Sequence, residues 1–357
     1  MEQNKTPRKK RKTVVAVRFS ALGDVAMTLP ALYSAAEENP DVRFIFLTRP
    51  LFAKFAVNPP ENLEIKGVDL NGEYKGVAGM YRLARRIVRE FRADVLVDLH
   101  DVLRTKMLRG WVRLAGKKVS VVDKGRKDKK SLTALENKQF RQLRPMPLRY
   151  ADAIKNAGIE VGDNFRSVFD KVPSDPALYS SVAGIKGKEE KRVGIAPFAK
   201  HPGKTYSPEK MEKVVAGLSG IPGVGIFLFG GGAEEEKILG EWERKYPRTV
   251  SLAGKKLGFP AELSLMDSLD VMVTMDSGNM HLASLAGTPV VSIWGATHPF
   301  CGFLGFGQSP DDIVQLEMPC RPCSVFGDKK CVFGNYKCLN GIETDVIFNK
   351  ISQKLDN

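Results

Sequence analysis

Apolar positions follow two rhythms along this chain. The run "VVAV" (14–17) is short and β-branched, "VAMTLPALYSAAEE" (25–38) carries apolar residues at helical spacing, and "SALGD" between them reads as a tight turn. Strand, turn and helix are therefore predicted within the first forty residues. The alternation continues with "VRFIFLT" (42–48) as strand, "GMYRLARRIVREF" (79–91) as helix and "ADVLVDLH" (93–100) as strand. A basic helix follows around 103–114, then the strand "KKVSVVD" (117–123) and a Lys/Arg-rich segment to Arg149. From 161 to 191 the periodicity lapses into Gly, Pro, Ser and charge, which predicts an interdomain connection. A second series then begins: "KRVGIAPF" strand, "SPEKMEKVVAGLSG" helix opened by Ser207 and Pro208, "VGIFLFGGG" strand and turn, and "AEEEKILGEWERKY" helix. It ends with the strands "DVMVTM" and "TPVVSIWG" on either side of the helical "SGNMHLASLAG".

Strands alternating with helices predict parallel sheets covered on both faces. The expected fold class is α/β, with two Rossmann-like domains facing across a cleft at the carboxyl ends of their strands, where such sheets bind ligands. A length of 357 residues agrees with two domains of roughly 150 each. The expected division is a basic tail at 1–12, a first α/β domain at 13–165, a second at 175–340 and a terminal helix at 341–357.

Composition and charge sharpen the picture in four places. With 43% hydrophobic and 27% charged residues the chain is that of an ordinary globular protein with a real core. Its longest uncharged stretch, 277–310, is interrupted by Pro289, Pro299 and several glycines, so no membrane crossing is expected. At the N-terminus Arg18 cuts the apolar run too early for a signal-peptide core, which points to a cytoplasmic protein. The net charge of +14 is unevenly placed: residues 1–12 hold six basic residues against one acid, 104–149 hold fifteen against three, and the rest of the chain is slightly acidic. The second block suggests an acidic partner for one domain, or else a solvated basic face. "PRKKRK" looks like a nuclear address, but short basic runs of this kind are common tails, the reading preferred here. No RRM, helix-turn-helix or zinc-finger pattern accompanies the charge, so no specific nucleic-acid partner is expected.

Candidate chemistry sits at the turns. In "DVMVTMDSGNMHLASLAG" a strand ends at Met275, Asp276-Ser277-Gly278 turn, and a helix begins with His281 near its first turn. Free amides and the dipole at such a start favour an anion, typically phosphate; the alternative is that Asp276 or Ser277 merely caps the helix. Glu234, in the first turn after three glycines, is placed to accept from two ribose hydroxyls, or simply to complement the helix dipole. Lys204 precedes another helix start, as a point charge for a diphosphate or as a solvated lysine. The first turn lacks both G-x-G-x-x-G and a terminal Gly-Lys, so it is not built for a dinucleotide or triphosphate. Asp24 there is placed either as a general base facing the cleft or as a helix cap.

Together, "RFSALGDVAMTLPAL", "GKTYSPEKM", "LFGGGAEEE", "SLAGKKL" and "DSGNMHLASLAGTPVVSIWGATHP" resemble the heptosyltransferases of lipopolysaccharide core assembly, glycosyltransferase family 9. The match runs in order through most of the chain, while 51–149 is not distinctive. The resemblance implies a GT-B fold, an ADP-heptose donor held mainly by the second domain, and metal-independent inversion at the anomeric carbon, with no cofactor required for catalysis. It assigns Asp24 as catalytic base, Lys204 as phosphate contact, Glu234 as ribose contact and Leu257 as adenine contact. Asp276, Ser277, Gly278 and His281 form the donor loop. Tyr206 stands where the family often has Trp, and Ser277 where Thr is common. The acceptor implied is an acidic lipid-linked saccharide, with peripheral association to the anionic inner leaflet of the cytoplasmic membrane.

Cys320, Cys323, Cys331 and Cys338 give C-x2-C-x7-C-x6-C, the spacing of a candidate structural zinc knuckle or of reduced thiols packing a loop. Two other functions remain open from sequence: a different nucleotide-sugar enzyme of the same architecture, such as an epimerase, and a non-enzymatic polyanion binder.

Overall fold

The computed structural model describes residues 11–184, 186–187 and 190–356. The expected basic tail therefore lies almost entirely outside the described residues. Two sheets organise the chain. The first contains β1 (Thr13–Val17), β2 (Arg43–Thr48), β3 (Leu63–Gly67), β4 (Val95–Asp98) and β5 (Lys118–Val121), in the order β3-β2-β1-β4-β5. The second contains β6 (Lys191–Ala196), β7 (Val224–Leu228), β8 (Thr249–Ser251), β9 (Val271–Met275), β10 (Val290–Trp294) and β11 (Ile313–Gln315), in the order β11-β10-β9-β6-β7-β8. Every pairing is parallel; Val15 lies opposite Ile45 and Leu96, and Ile195 opposite Leu228 and Val273. β1, β7, β9 and β10 are buried along their whole length, as continuous apolar runs between helical layers must be. Strand order reverses beside β1 in the first sheet and beside β6 in the second, so each sheet opens a crevice at that point.

Local chemistry sets the helices where the pattern placed them. Ser207 caps the helix Pro208–Ser219, its hydroxyl accepting from the Lys210 amide at 3.2 Å with Pro208 in the first turn. The helix Gly278–Ala286 stops at Gly287, whose φ of 86° is the left-handed conformation that ends helices. The terminal helix Thr344–Leu355 buries Ile347 and Ile351 in the same core cluster as Met211 and Val214 of Pro208–Ser219, so it belongs to the second sheet's layer. Two features escaped the pattern. β3 and β11 are short edge strands, and the basic segment folds into two helices, Arg126–Leu132 and Met146–Lys155.

The two halves are joined by more than a linker. Phe165 of the connection stacks edge-on against Tyr33 at 5.7 Å and Phe306 at 5.6 Å, while the Val168 amide donates to Leu285 O at 2.9 Å. Phe55 meets Phe259 edge-to-face at 5.4 Å, a contact worth about 0.5–1.5 kcal/mol beyond its area. The amides of Leu143 and Met146 donate to Phe300 O and Gly302 O at 2.9 and 2.8 Å. A single apolar cluster consequently includes residues of both halves. Among the described residues no helix is long and apolar enough to cross a membrane.

Candidate active site

The crevices of the two sheets merge into one cleft of about 630 Å3. Its walls come from the carboxyl ends of five strands: Arg18 to Asp24 after β1, His100 after β4, Lys124 after β5, Lys200 to Lys204 after β6, and Asp276 to His281 after β9. Six sequence-selected residues are brought together here: Asp24, Lys204, Asp276, Ser277, Gly278 and His281. Two are not. Glu234 is exposed at the start of the helix Ala233–Lys245, and half-buried Leu257 packs on the core; neither lines this cleft.

Asp24 lies in the short helix Leu22–Ala26 and is one quarter exposed. Its Oδ2 accepts from the Ala21 amide at 3.3 Å, so the capping contact exists, and pairs with Arg18 Nη2 at 2.8 Å. Burial alone would raise this carboxyl. The Arg18 charge and the Ala21 amide outweigh it and hold the group below its usual range. Arg18 is fixed in turn: Nη1 donates to Leu99 O at 2.5 Å, and the guanidinium lies 5.3 Å from the centre of the Tyr150 ring. His100 Nε2 is 3.3 Å from Ser20 Oγ; burial, with Arg18 and Lys124 nearby, pushes this imidazole down to about 3.

On the opposite wall, Ser277 is the N-cap residue of Gly278–Ala286, yet its hydroxyl bonds Thr274 Oγ1 at 3.1 Å and makes no cap bond to the helix. Asp276 does not cap either; it pairs with Lys204 Nζ at 3.0 Å. The first amides of this nine-residue helix thus face the cleft without a side-chain acceptor, as an anion site requires. Burial pushes His281 down to about 4 against the pull of Asp276 and Asp24, so its ring is neutral at pH 7. The walls touch where the glycines are. A Cβ on Gly23 would lie 2.5 Å from His281 Cδ2, and one on Gly278 would lie 2.8 Å from Leu22 Cδ2. Asp24 is therefore held directly across from the helix start.

Among the described residues no group of three or more His, Cys, Asp or Glu side chains is placed to hold a metal ion, so the structure lends no support to a zinc knuckle, although Cys320, Cys323, Cys331 and Cys338 line one small cavity. All four thiols are free. Cys338 packs in the core beside Leu339 and Ile342, and burial pushes its thiol up to about 11.

Sequence reasoning missed Arg18, His100, Lys124 and Phe303 as cleft residues. Arg18 had a visible signal, a charge closing a buried strand one turn before the "SALGD" motif. Lys124 was concealed among the fifteen basic residues of 104–149.

Two α/β units facing across one cleft are the architecture of the GT-B class of glycosyltransferases. The glycosyltransferase family 9 (heptosyltransferase) model matches residues 80–336, well over half of the chain, and the protein belongs to that family. Among curated proteins it is 24% identical over 325 residues to lipopolysaccharide heptosyltransferase 1 of Pseudomonas aeruginosa, covering 87% of this chain and 85% of that one. The crystal structure of a family 9 glycosyl transferase from Veillonella parvula superposes with a TM-score of 0.72 at 18% identity, covering 98% of this chain and 99% of that one. The E. coli heptosyltransferase WaaC with ADP superposes at 0.64 and 15% identity, over 96% and 99% of the two chains.

Proposed function

We propose that this enzyme transfers a heptose from ADP-heptose to an acidic acceptor of the lipopolysaccharide inner core, inverting the anomeric carbon, with Asp24 as general base. The observation that carries the reading is the opposition, across one cleft, of the Asp24 carboxylate and the uncapped start of Gly278–Ala286 with Lys204 beside it. The Pseudomonas relative is named for heptose transfer to lipopolysaccharide, and the WaaC structure was determined with ADP.

The chemistry follows from charge. Arg18 and Ala21 both hold Oδ2 of Asp24, which leaves Oδ1 for an acceptor hydroxyl. As that oxygen attacks the anomeric carbon from the face opposite the nucleotide, Asp24 takes its proton. Negative charge grows on the departing diphosphate, where Lys204 and the amides near Gly278 are already oriented, a preorganised stabilisation that does the work a metal does in other transferases. Glu234 as ribose contact and Leu257 as adenine contact, carried over from the family resemblance, complete the donor assignment. A basic acceptor-side wall also draws the enzyme to anionic lipid, about 1 kcal/mol per basic residue near the surface.

The test is to incubate the protein with ADP-heptose and candidate core saccharides, following ADP release and product mass. Asp24→Asn should lower turnover by about 10²–10⁴-fold, the usual worth of general-base help, with ADP affinity nearly unchanged. Parent-level turnover in that variant overturns the base assignment. Consumption of a nucleotide sugar without any acceptor would identify an epimerase instead.

A further inference from the structure

Beside the donor cleft, and sharing Arg18, Asp24, Lys124, Phe303, Val325 and Phe326 with it, lies a second cavity of about 470 Å3. Its floor is Lys129, only 6% exposed. The ammonium contacts Met146 Sδ at 3.1 Å and lies 4.2 Å from the Phe303 ring centre, and among the described residues it makes no ion pair. Lys124, half-buried on the same wall, makes none either, whereas Arg126 at the rim is paired with Asp101 at 2.6 Å. A buried cation served only by a thioether and an aromatic face is expensive unless something else satisfies it.

We propose that Lys129, with Lys124, forms an anion subsite that grips an oxyanion of the acceptor, a carboxylate or a phosphate monoester, and thereby presents the neighbouring hydroxyl to Asp24. The inference rests on the transferase reading above and goes beyond it by naming the residue that selects the acceptor. Asp24 lines both cavities, so an acceptor anchored at Lys129 has its reacting end at the base.

The surrounding charges agree. The helix Met146–Lys155 presents Met146 and Arg149, the loop after β5 presents Lys124, the turn after β1 presents Arg18 and Asp24, and the segment 301–303 presents Cys301 and Phe303. Burial pushes the Cys301 thiol up to about 11, so it is not the missing anion, and Asp24 is already engaged by Arg18. Burial, with Arg149 and Lys124, pushes Lys129 down to about 8, so an arriving oxyanion also relieves repulsion among like charges.

The experiment has two arms. In the transfer assay, Lys129→Met should raise the KM for the acidic acceptor at least tenfold and leave the KM for ADP-heptose within twofold. Lys127→Met, an exposed change outside the cavity, should alter neither. Methyl-esterifying the acceptor carboxylates, or removing its phosphates, should erase the difference between parent and variant in whichever treatment removes the recognised group. In the binding arm, inorganic phosphate is titrated into ADP-saturated protein by calorimetry. Affinity should fall at least tenfold in Lys129→Met and in Lys124→Met, with Lys129→Arg partly restoring it. This arm needs no turnover, so it reads the subsite even if the parent transfers nothing. Phosphate affinity unchanged in both Met variants, or lost only in Lys204→Ala, overturns the proposal, as does an acceptor KM in Lys129→Met equal to that of the parent.

Discussion

Gly23→Ala adds one methyl group at the place where the two walls of the cleft meet. The new Cβ would lie 2.5 Å from His281 Cδ2 and 3.3 Å from its Nε2, against about 3.5–4.0 Å for comfortable carbon contacts. His281 is almost fully buried at the start of Gly278–Ala286, so its ring has little room to turn aside. Relief requires the turn carrying Asp24 to retreat from the helix start by about 1 Å, and a displacement of that size costs on the order of 10²-fold when it separates a base from its target. We expect kcat to fall by about that factor. ADP affinity should stay within about threefold, because Lys204, Asp276 and Ser277 all belong to the second sheet and move together. Steady-state transfer with a separate ADP titration reads both quantities. His281→Ala in the same chain removes the obstructing ring, so the double variant should recover most of the loss relative to His281→Ala alone, a coupling that a double-mutant cycle isolates. Gly278→Ala should be milder, since its Cβ meets only the flexible tip of Leu22 at 2.8 Å. A kcat within twofold of the parent for Gly23→Ala, or a double variant no better than the sum of its parts, would refute the claim that this contact sets the reacting distance.

Two further predictions concern charge. The acceptor KM should be flat well below pH 8 and rise above it, by up to tenfold per pH unit for each lysine that must stay charged, because the ammonium forms of Lys129 and Lys124, both pushed down to about 8 by burial, are the ones that hold an oxyanion; a pH profile of KM on the acidic acceptor checks this, with the methyl-esterified or dephosphorylated acceptor as the flat control. Arg18→Gln should move the acid limb of kcat to higher pH: Arg18 holds the Asp24 carboxyl below its usual range, so losing the guanidinium lets it protonate at a higher pH. An acid limb that stays in place would show that Arg18 does not govern the base.

How much of this was legible in the sequence depended on how each feature is encoded. Parallel strands buried on both faces are written as unbroken apolar runs, and β1, β7, β9 and β10 were read from "VVAV", "VGIFL", "VMVTM" and "VVSIW". Short edge strands carry no such run: "LEIKG" in β3 alternates and "IVQ" in β11 is three residues long, so neither signals above its surroundings. The cleft-lining residues picked out from sequence all lie in motifs local to one turn. Those missed are defined by convergence. His100 and Lys124 follow different strands and meet the others only because β4 lies beside β1 and β5 beside β4 in the sheet order, which no spacing reveals. The cysteine spacing was compatible with a metal knuckle or with packed thiols, and the structure shows Cys338 packed beside Leu339 and Ile342.

The two sides of the cleft differ in how their charges are balanced, and that difference suits a transferase. On the donor side Lys204 is neutralised by Asp276, and the remaining attraction for a diphosphate comes from backbone amides that carry no net charge. A diphosphate bound there gains stabilisation chiefly as its charge increases, because fixed dipoles and a shared lysine interact more strongly with a leaving dianion than with a sugar ester. On the proposed acceptor side Lys124 and Lys129 make no ion pair among the described residues, a field that would attract an anionic substrate before any bond changes. On the proposed reading one wall favours the transition state and the other the encounter. Asp24 lines both cavities, and Arg18 holds its carboxyl below the usual range, the state that the proposed base requires.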